Sequence, residues 1–186
     1  MFLGTVYKNI HQELIDQSRK GSKKAQFRLY ELYYKGMYSM SLRMLNDEPE
    51  AEDVMQEAFL NAFEKISSYK GEVSFGAWLK KIVINRSLDC LRRRKVSFEE
   101  VNEWTMEVPD DDGTPEQVDV ECIKRAIQKL PDGYRTVLSL YLMEGYDHEE
   151  ISQILEISNS ASRTQFSRAK QRLKELLKGE EIIRSN

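Results

Sequence analysis

The stretch Ser74-Phe75-Gly76-Ala77-Trp78-Leu79-Lys80-Lys81-Ile82-Val83-Ile84-Asn85-Arg86-Ser87-Leu88-Asp89-Cys90-Leu91-Arg92-Arg93-Arg94-Lys95 decides how the chain is read. It predicts a single helix. Ser74 is suited to the N-cap, where its hydroxyl accepts from an early backbone N–H, and the basic cluster suits the negative end of the helix dipole. At about 100° per residue, Trp78, Lys81, Asn85, Asp89 and Arg92 share one side. Phe75, Leu79, Ile82 and Val83 fill a second side, and Ala77, Ile84, Leu88 and Leu91 a third. A helix apolar on two sides is held between other helices, so one strip is left for solvent or a partner. That strip carries a ring for stacking, an amide for a base edge and cations for phosphates, which suits nucleic acid. The same residues also fit a core helix with a solvated basic end.

Outward from this helix, composition favours an all-α protein. Only 4 prolines and 9 glycines interrupt 186 residues, and helix formers fill the long stretches between the prolines. The net charge of −3 hides a pattern: residues 70–95 and 163–178 are basic, and between Glu99 and Glu121 stand ten acidic residues and no Lys or Arg. Cys90 and Cys122 are too few and too far apart for a disulfide framework or a zinc site, so no metal or cofactor is expected. No apolar run is long enough for membrane insertion and the first residues lack a signal-peptide core, which predicts a cytoplasmic protein.

Along the chain, residues 11–18 suggest a short opening helix and 22–45 a longer one with a wide apolar surface that includes Ala25, Phe27, Leu29 and Met37. Pro49 suits the first turn of a third helix, 50–66, which turns Ala51, Val54, Ala58, Ala62 and Phe63 inward. Its outward face, with Glu52, Asp53, Gln56, Glu57 and Asn61, has no cation of its own. That face reads either as solvated or as a docking surface for a basic partner helix. Residues 67–73 form a small polar loop with Tyr69 and Lys70 beside the strip of the opening helix. The expected organisation is two small helical domains, 1–95 and 119–186, joined by an acidic flexible linker, 96–118.

The C-terminal domain predicts a helix-turn-helix. A helix over 119–130, a turn at Pro131-Asp132-Gly133 and a helix from Arg135 to Glu144 precede it. Asp147-His148-Glu149-Glu150 has the capping-box spacing, and a short helix and tight turn lead to a basic helix over 159–177. Ala161, Phe166, Ala169, Leu173 and Leu176 face inward. Ser160, Arg163, Thr164, Ser167, Lys170, Gln171 and Lys174 face outward, with Arg168 and Arg172 flanking them. Hydroxyls and arginines near the start of such a helix reach major-groove base edges, and later cations neutralise phosphates. No phosphate loop, metal-ligand spacing or nucleophile arrangement is present, so an enzyme is not expected.

Ala51-Glu52-Asp53-Val54-Met55-Gln56-Glu57-Ala58-Phe59-Leu60, Phe75-Gly76-Ala77-Trp78-Leu79 and Ile82-Val83-Ile84-Asn85-Arg86 resemble the first conserved domain of bacterial RNA polymerase sigma factors. Leu130-Pro131-Asp132-Gly133-Tyr134-Arg135, Gly145-Tyr146-Asp147-His148-Glu149-Glu150-Ile151 and Arg168-Ala169-Lys170-Gln171-Arg172-Leu173 are similar to their last domain. Two domains alone, joined by a linker, resemble the extracytoplasmic-function (ECF) group. The resemblance implies core RNA polymerase as a partner, at its β′ clamp and β flap, with Asp53, Gln56 and Glu57 on the clamp side. It implies single- and double-stranded promoter DNA as ligand. Tyr69, Lys70, Trp78, Lys81, Asn85, Arg92 and Arg93 match the part that melts the minus-ten element and holds a flipped non-template base. Ser160, Arg163, Thr164, Ser167, Arg168, Lys170, Arg172 and Lys174 match the reader of the minus-thirty-five element. The linker matches a segment that threads the polymerase channel, and an anti-sigma factor is a family expectation. Two departures stand out: Ser160-Ala161-Ser162 replaces the common Gly, Thr and Val, and Phe166 a common Leu. From a different class, a stand-alone helix-turn-helix regulator with an N-terminal sensor or dimerisation domain is the rival reading.

Overall fold

The computed structural model describes residues 9–94, 96, 98 and 120–184, with side chains as far as 178. Among the described residues the protein has eight α-helices, one 3-10 turn and no strand, as an all-α reading expects. The chain divides into two compact units, Met1–Arg94 and Lys95–Asn186. Of the residues read as the acidic linker, all but Val96 and Phe98 lie outside the described residues.

The first unit holds α1 (Gln12–Arg19), α2 (Lys23–Leu45), α3 (Glu48–Glu64), a 3-10 turn (Ile66–Ser68) and α4 (Phe75–Arg93). Short polar side chains start its long helices. The Ser22 hydroxyl accepts from Ala25 N at 3.3 Å, Asp47 Oδ1 from Glu50 N at 2.9 Å, and Ser74 Oγ from Ala77 N at 3.1 Å. Because Asp47 caps α3, that helix begins earlier than Pro49 alone predicts. Asn46, at φ 52°, closes α2 in the left-handed region that asparagine tolerates, so one residue separates the end of α2 from the cap of α3.

α4 is buried along both apolar sides, as its sequence predicts: Phe75, Leu79, Val83, Ile84, Leu88 and Leu91 are at most 2 % exposed. Each such side chain contributes about 1.5–3 kcal/mol by leaving water. Ala77, expected on the third apolar side, is exposed. Phe27 departs from the apolar surface expected of α2, being 62 % exposed. Met37, Met40 and Met44 are core residues. At Gly76 an added Cβ would lie 3.0 Å from the Tyr33 ring, so the glycine lets α4 begin directly against α2.

The second unit holds α5 (Val120–Gln128), α6 (Asp132–Leu142), α7 (His148–Leu155) and α8 (Asn159–Arg184). Ile127, Leu130, Leu138 and Ala169 form a buried cluster, with Ile123, Tyr134, Leu173 and Leu176 packed against it. Pro131-Asp132-Gly133 is not a turn before α6. Pro131 is the N-cap residue and Asp132 the first helical one. The cause is Arg135, 2 % exposed, whose guanidinium donates to Leu130 O at 2.6 Å and Gln128 O at 3.4 Å and pairs with Asp132. It gathers the carbonyls at the end of α5 into the first turn of α6. α8 runs past the expected end at 177 as far as Arg184. Phe98 belongs to this unit, 7 % exposed, and its carbonyl accepts from the Gln165 amide of α8.

Candidate nucleic-acid and partner interfaces

On α4, Lys81 and Asn85 are exposed and Trp78 is half-buried. The Trp78 ring leans on Tyr69 and Phe75, with centroids at 5.3 and 5.6 Å. Two rings thus back the indole while part of it remains open, an arrangement that holds a stacking surface still. Arg92 lies on the same strip and pairs with Asp89 at 3.5 Å, so one of its cations is partly answered within the helix. In the loop, Ser67, Ser68, Lys70, Glu72 and Val73 are exposed and Gly71 turns the chain at φ 77°. Tyr69 differs from the expectation. It is 3 % exposed, its hydroxyl donates to Val73 O at 2.6 Å, and its ring stands edge-on to Phe75. It is turned into the unit and braces the loop from within.

Asp53, Gln56 and Glu57 are all exposed on one face of α3, and Gln56 donates to Glu52 Oε1 at 3.2 Å. Leu60 continues that face, 65 % exposed. The sequence pattern alone placed Leu60 on neither side of this helix. The face is less one-sided in charge than the helix alone suggests. A cleft of about 480 Å³ separates α3 from the end of α4, lined by Glu50, Asp53, Val54, Glu57, Cys90, Arg93 and Arg94. Arg94 pairs with Glu50 and donates to Leu45 O at 2.8 Å. The Cys90 thiol donates to Glu50 at 3.1 Å; burial, then the Glu50 carboxylate, pushes its pKa up, so it is an inert core group. Arg93 lines this cleft, which separates it from Arg92 and the Trp78 strip.

In the second unit the capping box is complete. Asp147 Oδ1 accepts from Glu150 N at 2.8 Å and Glu150 Oε2 from Asp147 N at 2.9 Å. Glu156, at φ 60°, turns the chain after α7, and Ser158 Oγ accepts from Ala161 N at 3.0 Å to start α8. Ser160, Arg163, Ser167, Lys170, Arg172 and Lys174 are exposed along α8; Thr164 and Arg168 are half-buried. Arg163 donates to Asn159 Oδ1 at 2.8 Å, Arg172 pairs with Glu175 at 2.8 Å, and Lys170 lies over the Phe166 ring at 5.3 Å.

The departures at positions 162 and 166 have a common explanation. Ser162 is fully buried, with its hydroxyl 2.9 Å from His148 Nδ1 on α7. His148 stacks on Tyr141 with centroids at 4.7 Å, and Phe166 meets both rings, at 5.6 and 4.4 Å. The two helices of the motif are seated by a hydrogen bond and three rings where an aliphatic contact would otherwise serve. Burial holds His148 below the ordinary histidine value, Arg163 acts in the same direction, and Asp147 opposes them. The neutral ring is therefore favoured in the folded unit. Its contribution to stability is complete above the unfolded value of about 6.5 and is lost as pH falls through the lower folded value. Thermal melting should accordingly show a drop in stability below about pH 6.5 that His148→Gln removes; identical pH profiles for the two chains would refute this role.

The Sigma-70 region 2 family model matches residues 29–96, and the Sigma-70, region 4 model matches 120–173. The ECF RNA polymerase sigma factor SigW of Bacillus subtilis (strain 168) is 31% identical over 88% of this chain and 95% of its own length. The ECF RNA polymerase sigma factor SigM of the same strain is 30% identical over 80% of this chain and 92% of its own. Among solved structures, the sigma factor RpoE bound to the anti-sigma factor NepR from Bartonella quintana aligns over 81% of this chain and 95% of that chain, with a TM-score of 0.56 and 23% identity. CnrH bound to the cytosolic domain of CnrY aligns over 91% and 97%, with a TM-score of 0.54 and 20% identity. At these identities the two structures speak for a shared fold.

Proposed function

The chain belongs to the ECF sigma factors of bacterial RNA polymerase, and from that footing we propose how its surfaces divide the work of directing promoter-specific transcription initiation. It is a sigma factor, so core polymerase and promoter DNA are its partners. The rival reading as a stand-alone regulator would need a sensor domain where the region 2 match falls. The exposed face of α3, with Asp53, Gln56 and Glu57, docks on core polymerase, and Leu60 lies within it. Trp78, Lys81 and Asn85 with the outer residues of the 67–73 loop open the minus-ten element and hold one flipped base. Lys70 and Arg92 take phosphates. Ser160, Arg163, Thr164 and Ser167 face base edges of the minus-thirty-five element, and Arg168, Lys170, Arg172 and Lys174 its backbone. An anti-sigma factor that covers these surfaces would regulate the protein, which works in the cytoplasm and performs no reaction of its own.

The observation that carries the minus-ten assignment is the Trp78 ring, half-open and backed by Tyr69 and Phe75 beside an exposed lysine and asparagine. Flipping a base costs a few kcal/mol, and stacking on such a ring returns about 1–3 kcal/mol. Holoenzyme with Trp78→Ala should therefore open a promoter about tenfold less, measured as permanganate reactivity of minus-ten thymines, with core binding unchanged. Undiminished reactivity would rule the strip out as the melting element. Each DNA surface is small, so specific DNA binding is expected from holoenzyme and not from the free chain.

A further inference from the structure

The loop assigned above to the flipped base is held in place by residues from the far N-terminal end of the unit. Arg19, the last residue of α1, donates to Ile66 O at 3.5 Å, in the 3-10 turn that leads into the loop, and to the loop carbonyl of Tyr69. Its guanidinium also lies 5.7 Å from the centroid of the Tyr69 ring, and Asp16 holds it from the other side at 3.0 Å. Asn9, 5 % exposed, donates from Nδ2 to the Tyr69 hydroxyl at 3.0 Å, and that hydroxyl in turn donates to Val73 O. The Asn9 Oδ1 accepts from His11 N at 3.2 Å, which fixes the amide at the start of α1. The hydroxyl of Tyr69 is thus a relay that ties the last bend of the loop to Asn9, and Arg19 ties the first.

The arrangement is more than core packing. A buried tyrosine needs only one hydrogen-bond partner, yet here one hydroxyl closes the exposed tip by donating to Val73 and ties it to the segment before α1 by accepting from Asn9. Arg19 serves carbonyls at the start of the loop, where a lysine could reach only one of them. The same Tyr69 ring backs Trp78, so a shift of the loop also shifts the stacking surface. A capture site must be held to within a fraction of an ångström by neighbours whose own rotamers are fixed.

We infer that Asn9, Arg19 and Tyr69 are positioning residues that preorganise the 67–73 loop and the Trp78 ring for capture of an unpaired promoter base. The inference rests on the reading of that loop given above. α1 is then part of the promoter-opening apparatus without touching DNA.

The test uses holoenzyme assembled from the full chain and single-stranded non-template oligonucleotides from a promoter mapped with that holoenzyme. A scan that removes one base at a time finds the position at which an abasic site weakens wild-type binding most. Tyr69→Phe, which deletes only the relay hydroxyl, should weaken binding of the intact oligonucleotide about fivefold and leave binding of the abasic one unchanged. Asn9→Ala should act in the same way and add little in the double variant, because both remove one tie; Arg19→Lys should lose more than either. Core-polymerase affinity should equal that of wild type for all four variants. Equal weakening on intact and abasic oligonucleotides, or none on either, overturns the positioning role. A wild-type scan without a maximum overturns the reading of the loop itself, and this inference with it.

Discussion

Alanine at both Asp53 and Gln56 is expected to weaken assembly with core RNA polymerase by about a hundredfold or more. Both side chains are exposed on α3, and Gln56 donates to Glu52 within its own helix, so the packing of the fold does not depend on them. At an interface the balance is different. Removing a central side chain commonly costs about 2 kcal/mol or more, and two such losses multiply in affinity. The binding constant from labelled chain titrated with core polymerase checks this, with circular dichroism to show that helix content is retained. A change within about twofold, the scatter of ordinary surface substitutions, would remove this face of α3 from the docking surface. Adding salt should weaken the wild-type complex as well, since the acids at the centre of the face are solvent-exposed until the partner arrives.

The largest loss of stability is expected from Arg135→Ala. The side chain is 2 % exposed and joins the carbonyls of Gln128 and Leu130 to the carboxylate of Asp132. Its removal takes a donor from each of these acceptors, one of them charged, and opens a cavity between α5 and α6. About 3 kcal/mol is expected, a large share of what a domain this small has to spare. Arg135→Lys should recover only part, because one ammonium cannot follow a planar fork to three acceptors. Since the two units need not unfold together, hydrogen exchange at the amides of α6 and α8 is the appropriate readout. A loss below about 1 kcal/mol there would show that the arginine is not a structural tie.

Local chemistry was legible in the sequence and distant chemistry was not. Ser74 and the Asp147–Glu150 pair were readable as caps because a capping bond spans three residues and is written in one short string. The two apolar sides of α4 were readable from periodicity, which needs only the helix itself. The start of α6 was misplaced because Pro131-Asp132-Gly133 has the composition of a turn, while the group that makes it helical is a buried arginine whose partners lie in the preceding helix and loop. Tyr69 was misread for a similar reason. Its ring looked available in a polar loop, but the atoms that turn it inward belong to Asn9 and Arg19, 60 and 50 residues away. Arg92 and Arg93 looked equivalent in a basic cluster, and one residue of helical rotation places Arg93 on the cleft beside α3.

The pair formed by Ser162 and His148 bears on how such a chain can change by inheritance. An aliphatic residue at 162 alone would take away the partner of a ring nitrogen; an aliphatic residue at 148 alone would leave a fully buried hydroxyl unmatched. Each single step is unfavourable and the double step is close to neutral, so the two positions are energetically coupled, with Phe166 as a third member through its contacts with both rings of the stack. Ser160 and Ser167 lie outside that set, on the solvent side of the same helix. On the proposed reading of α8, its base-facing residues can therefore change one at a time while its seat changes only as a block.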